Sequence, residues 1–249
     1  METELQVVNA DVSYEKVSLI NTTDSGYIHV AAEVDRRLPF LPASQIKRTL
    51  LRVCKRLCET LERRADVKSA VTFKALLIPP GRGDFLKQRP NVHVARFDVA
   101  VLIETSGMES ARALREESTF IELEKRVRDA SRHVHIITAS NARRIGPVDH
   151  ERNGVFLFNY FYADDTDQNL AVWEYTAGWF EQETGLDNST LLLPAEGEAS
   201  EYPIVNHCRW NHLWDIVPSL LFKSSFRSYV LDNFKANRTA AIPILYSLA

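Results

Sequence analysis

Seven histidines are spread through the 249 residues, and several stand beside other groups able to hold or move a proton. His133 and His135 flank one residue in HVH, Arg96 and Asp98 do so in ARFDV, and His207 and Arg209 do so in NHCRW. In an extended strand alternate residues share a face, so each pair sets two polar groups side by side. His29 and Glu33 share a face of YIHVAAEV, and Lys74 sits within VTFKALLI. Imidazole titrates near neutrality, a carboxylate can orient it, and a guanidinium can stabilise a developing negative oxygen. Together they suit proton abstraction beside a carbonyl. Histidines at alternate positions also suit a divalent cation. Burying such groups without partner or purpose is expensive.

The elements that must position them come in two passes. Residues 27–34 alternate cleanly, as a half-buried strand does. Pro39 and Pro42 end that strand, and Ser44 is placed to cap a helix over 45–64, where Ile46, Leu50, Val53, Leu57 and Leu61 recur at helical spacing. Residues 71–78 read as a strand closed by Pro79-Pro80-Gly81, followed by a polar loop whose Arg-Gly-Asp at 82–84 carries almost no information alone. A strand over 94–104, a helix over 109–130 and a strand over 133–138 complete the first pass. The second pass gives a strand over 154–162 and a helix capped by Asp164 to Thr166 and ended by Gly185. Strands over 190–193 and 202–210, a helix opened by Pro218 and a strand over 242–248 follow. Each pass reads βαββαβ, the split βαβ motif of ferredoxin-like folds. The expected division is a lead-in over 1–24, with one strand near 16–21, a first half over 25–147 and a second over 148–249.

Composition narrows the function classes. With 45% hydrophobic and 25% charged residues the chain is ordinary and globular, and a net charge of −3 argues against nucleic acid as a partner. No apolar run approaches a membrane span, and the polar N-terminus lacks a signal peptide, so a cytoplasmic location is expected, with no membrane partner. Cys54, Cys58 and Cys208 read as buried thiols rather than zinc ligands. The basic face of the 45–64 helix reads as solvated, because Glu59 and Glu62 interrupt it. There is no phosphate-cradling glycine loop, nucleophile elbow or CxxC pair, which disfavours nucleotide and serine-hydrolase chemistry.

Two segments carry a family resemblance: FDVAVLIETSGMESARALREESTFIELEKRV and IVNHCRWNHLWDIVPSLLFKSSFRSYVL. Each resembles the strand, turn and helix of the dimeric α+β barrel superfamily, which includes the antibiotic-biosynthesis monooxygenase-like proteins. The resemblance implies an α+β fold: two ferredoxin-like halves packed sheet to sheet as a fused barrel, with each strand's polar face lining the interior. On that reading Ala95, Phe97, Val99, Val101, Ile103, Val134 and Ile136 face helices. His29, Glu33, Lys74, Arg96, Asp98, His133 and His135 then face inward. The first strand lies between the third and fourth, so His29 is flanked by Arg96 and Asp98 on one side and His133 and His135 on the other. His207 and Arg209 are expected inward, opposite Asn206, Cys208 and Trp210. Either face of the 154–162 strand, that of Phe156, Phe158, Tyr160 and Tyr162 or its opposite, can line an apolar pocket.

The reading this supports is a small-molecule enzyme acting on an aromatic or polyketide-like substrate in the barrel interior, similar to cofactor-independent monooxygenases. His133 or His135 is the expected base, Arg96 and Arg209 the expected oxyanion partners, with His29 and Asp98 in the same catalytic group. Lys74, Tyr160, His207, Arg209 and Trp210 are the expected substrate contacts. The same groups suit an isomerase, cyclase or lyase. Other readings are a haem protein of the chlorite dismutase-like type, with His207 or His150 as axial ligand, and a non-catalytic binding protein. No cofactor is expected on the leading reading; a divalent metal at His29, His133 and His135 is the further alternative. Self-association into a homo-oligomer is compatible with all of these.

Overall fold

The structure is a computed structural model describing residues 5–35, 37, 41–80 and 84–249. The expected break at Pro39 and the start of the Arg-Gly-Asp loop lie outside the described residues. The first βαββαβ unit comprises β1 (Gly26–Glu33), α1 (Gln45–Leu61), β2 (Val67–Leu77), a short α2 (Asp84–Lys87), β3 (Val99–Thr105), α3 (Met108–Arg115), α4 (Ser118–Ala130) and β4 (His133–Gly146). The second comprises β5 (Val155–Ala163), α5 (Thr166–Thr184), β6 (Ser189–Pro194), β7 (Ile204–Trp210), α6 (Leu213–Phe222), a π-helical stretch (Phe226–Leu231), α7 (Asp232–Ala236) and β8 (Thr239–Leu248).

All eight strands form one closed barrel in the order β1-β3-β2-β8-β5-β7-β6-β4. Within each half the first strand lies between the third and fourth: β1 pairs with β3 and β4, and β5 pairs with β7 and β8. The halves join edge to edge at two seams, β2 with β8 and β4 with β6. The second strand of each half thus meets the fourth of the other, and closure removes every sheet edge.

The barrel separates two apolar layers. Ile28, Val30, Val99, Val101 and Ile103 face α1 and α4, whose Leu50, Leu57, Phe120 and Leu123 complete that core. Phe73, Phe97, Phe156, Phe158, Tyr160 and Tyr246 fill the interior with Ala31, Ala100 and Leu102. Local signals fix the helix ends. Ser44 accepts from the Lys47 amide at 3.2 Å, Asp165 caps Gln168 at 2.7 Å, and Gly185 at φ 67° ends α5 in the left-handed conformation glycine adopts freely.

Several boundaries differ from expectation. The helix over 109–130 is two helices, because Glu117 is extended and α4 restarts at Ser118. Pro218 does not open a helix: α6 begins at Leu213, where His212 and Asp215 cap each other reciprocally, and Pro218 lies inside it. β4 runs eight residues beyond 138, because its polar second part, ASNARRIG, pairs with β6 across the seam. No strand forms at 16–21. Residues 5–24 instead cross the helices of the second half. Gln6 and Val8 donate to Asn237 and Asn233, Val17 enters the core, and Tyr14 donates to Glu183.

Candidate functional site

The first half places a column of proton-handling groups from the barrel rim to its centre. At the rim Glu33, the last residue of β1, accepts from His93 Nε2 at 2.7 Å and from the Arg96 amide at 2.9 Å. Burial alone would raise the Glu33 carboxyl, but these bonds and the charge of His93 hold it below its usual range. His93 stacks on His133, ring centroids 3.8 Å apart, and His133 stands 3.5 Å from Glu201. Phe97 lies next, tilted against His93 and stacked on His133 and His135.

His135 is buried, and its hydrogen bonds define its tautomer. The Ser200 hydroxyl spends its hydrogen on the Tyr202 carbonyl at 2.8 Å, so its oxygen accepts from His135 Nε2 at 2.9 Å. Nδ1 is therefore the bare lone pair, and it is buried without a partner. The imidazole ring stands among Phe97, Tyr160 and Tyr202, whose ring centroids are 6.0, 6.3 and 5.1 Å from its own. Burial, reinforced by the charge of His133, pushes the imidazole down to about 4, so it stays neutral at ordinary pH.

His29 is wholly buried at the centre. Its Nδ1 donates to the Val101 carbonyl at 3.2 Å, leaving Nε2 to accept from the Tyr160 hydroxyl at 3.0 Å. Burial, and then the neighbouring His135, pushes it down to about 3, while burial raises Tyr160 well above its normal value.

The second half contributes a second cluster, joined to the first through Phe158, which stacks on His29 with ring centroids 4.6 Å apart. His207 stacks on Phe158 at 4.1 Å, donates from Nδ1 to the Leu157 carbonyl and accepts at Nε2 from His150, 2.8 Å away. Burial holds His207 well below its normal value and His150 at about 4. The register separates the two clusters: His133 pairs with Glu33 at one end of β4, whereas Arg144 near the other end pairs with Thr190, which pairs with His207. Arg209 is on this second side, its guanidinium bound to Asn211 and to the Asn153 carbonyl.

Of the expected site residues, His29, Glu33, His133, His135 and Tyr160 come together, and Phe156, Phe158 and Tyr160 prove to be on the inward face of β5. Six do not join them: His207 and Arg209 belong to the second cluster, and Asp98, Arg96, Lys74 and Trp210 lie elsewhere. Asp98 instead turns to α1, where it meets Lys47 Nζ at 2.9 Å and accepts from the amides of Val34 and Asp35. Arg96 is exposed, while Ala95 and Phe97, expected against helices, lie inside. The cause is a slip at Asp98: residues 94–98 precede β3, and the alternation restarts there, so Val99 faces outward although Phe97 faces inward. Lys74 is exposed between the inward Phe73 and Ala75. Trp210 faces the helices and donates to Thr184.

His93, Ser200 and Tyr202 had no local signal, since all three lie in irregular segments or at a strand's approach. The metal alternative does not fit: both nitrogens of His29 are engaged, and no group of three or more ligating side chains is set to hold a metal among the described residues. Nor does a haem axial role fit His207, whose two nitrogens are both bonded and whose ring lies between aromatic side chains.

This architecture, two ferredoxin-like halves fused into one eight-stranded barrel, is the dimeric α+β barrel fold. Among solved structures, an anthrone oxidase-like protein superposes with a TM-score of 0.61 at 8% identity, over 90% of this chain and 91% of its own. A monooxygenase candidate from Fusobacterium nucleatum superposes with a TM-score of 0.56 at 5% identity, over 91% and 93%. No family profile and no curated sequence matches the chain. Likeness at such low identity establishes the fold alone. Among the described residues, no helix is long and apolar enough to cross a membrane.

Proposed function

We propose that the chain is a small-molecule enzyme that abstracts a proton from an aromatic, polyketide-like substrate, with His135 as the general base. The observation carrying this reading is the bare, buried Nδ1 of His135, whose tautomer Ser200 fixes and whose surroundings are aromatic. A neutral imidazole lone pair with no protein partner is the form a general base needs, the phenolate formed beside it would supply the negative charge that a buried imidazolium otherwise lacks, and a ring of Phe97, Tyr160 and Tyr202 suits a flat substrate. His133 at the rim is half-buried while His135 and His29 beneath it are buried, which supports entry of the substrate from the rim.

The similarity to an anthrone oxidase-like protein supports one concrete reaction. His135 Nδ1 takes a methylene proton of an anthrone, the electron pair delocalises into the ring as phenolate, and dioxygen adds at that carbon. Loss of one water then leaves the quinone: one anthrone and one dioxygen give one anthraquinone and one water. His29 and Tyr160 support the base from beneath. Arg96, being exposed, is given no part, and Arg209 belongs to the other cluster.

The test is oxygen uptake with anthrone, comparing the wild-type chain with His135→Ala and His29→Phe. His135→Ala should lose at least about a hundredfold in rate, the usual contribution of a general base. Full activity in that variant would overturn the assignment. An isomerase or lyase on the same base would release no quinone and consume no oxygen.

A further inference from the structure

We propose that the outer face of the second half carries a binding site, separate from the barrel interior, for an uncharged amphiphile: an apolar chain or ring system bearing one hydroxyl. Between the outward faces of β5 and β8 and the layer formed by α5, α6 and the π-helical stretch lies a cavity of about 470 Å³. That volume is within the range of small-molecule sites. Its walls include Leu157, Phe180, Val217, Leu220, Phe234 and Leu245, and among the described residues no ionisable side chain lines it.

One polar side chain interrupts this surface. On β5 the outward positions read Val155, Leu157, Asn159 and Phe161, and Asn159, only 8% exposed, stands between this cavity and a small void beside Thr176, Ser189 and Asn206. Its Oδ1 is buried with no hydrogen-bond partner. The strand neighbours do not supply one: Asn159 stands opposite Pro243 on β8 and Asn206 on β7, and Asn206 accepts from Ser189 at Oδ1 at 2.6 Å while its Nδ2 is turned to Cys208 Sγ at 3.9 Å. A buried acceptor without a donor is costly, so a group arriving with an O–H is favoured there. A carboxylate is disfavoured, because it only accepts and would be desolvated with no cation among the described lining residues.

The cavity has a mouth. Leu77, Leu221 and Leu231 line it and are 41%, 63% and 42% exposed. Along α6 the exposed Trp214 and Phe222 extend the apolar surface around this opening, at 81% and 83%. The hydroxyl would therefore sit at Asn159 and the apolar body would run outward between Leu220 and Leu245.

The experiment is displacement of the uncharged dye Nile red from the full chain by 1-decanol, by the isosteric ether 1-methoxynonane and by decanoate. Decanol should displace the dye and raise the melting temperature. The ether, lacking the donor, should bind about tenfold more weakly, and decanoate should bind more weakly than decanol. Asn159→Leu should bind decanol and the ether equally, and Leu220→Trp, which fills the cavity, should abolish displacement. Leu221→Lys, on the exposed mouth, should weaken decanol binding and serves where the filled variant disturbs folding. Absence of displacement by decanol, or equal affinity of the wild type for decanol and the ether, would overturn the proposal. The latter result would assign the Asn159 amide to a bound water.

Discussion

Acid should unfold this protein through its interior histidines. The perturbation is a fall in pH from about 7 to 5. His29 and His135 are held at about 3 and about 4 by burial, against an ordinary value of 6.5, and His150 is held at about 4 beside His207. A folded-state value below the unfolded one means that under pH 6.5 the unfolded chain binds protons the folded chain refuses. The stability these groups allow is complete above 6.5 and is lost as the pH falls toward 4. Each group costs about 1.4 kcal/mol per pH unit in that window, hence about 2 kcal/mol each at pH 5. His150 and His207 are both neutral in the fold, and in the unfolded chain each takes up its own proton, so the pair counts twice. The total over the four histidines is about 8 kcal/mol, which is comparable with the net stability of an ordinary domain. Denaturant titrations at pH 7, 6 and 5 should show stability falling steeply, with acid unfolding near pH 5. His29→Phe should be less stable at pH 7, since Tyr160 loses its partner, yet show a slope about one quarter shallower. Equal stability at pH 7 and 5 would refute the claim that these imidazoles are buried and neutral.

Three further outcomes are expected. Lys47→Met leaves Asp98 buried without its cation and should cost about 3–5 kcal/mol in denaturant unfolding; combination with Asp98→Asn should cost less than the sum of the single changes. A Cβ on Gly178 would come within 2.0 Å of the Glu15 carbonyl, so Gly178→Ala should displace the lead-in segment and cost about 1–3 kcal/mol, read by faster proteolysis within residues 5–24 and a lower melting temperature. Burial pushes the Cys54 thiol up to about 12 and Cys58 up to about 11, so an aromatic disulfide reagent at pH 8 should titrate almost no thiol until denaturant is added.

The double βαββαβ pass was legible because it rests on local rules. Strand alternation, the stripe of α1, the caps at Ser44 and Asp165 and the stop at Gly185 all act within a few residues of chain. Alternation also put His29, His133 and His135 on the inner face correctly. It failed where continuity failed: the slip at Asp98 is a tertiary event, in which a carboxylate turns out to Lys47 and two backbone amides, and it carries Arg96 into solvent and Phe97 inside. Lys74 and Trp210 show the same limit, since parity tells which residues share a face but not which face meets the interior. The polar half of β4 gave no strand pattern, because its structure comes from the β6 edge it pairs with across the seam.

By itself, then, the sequence determined the elements, their order and the histidine-bearing faces, all set by short-range periodicity. Only the tertiary structure decided that the edges hydrogen-bond into a closed barrel filled with aromatic rings. It alone also brought His93, Ser200 and Tyr202 to the histidines of β4. Those contacts span up to 109 residues, and what creates them is closure of the barrel, a long-range constraint that no local pattern encodes.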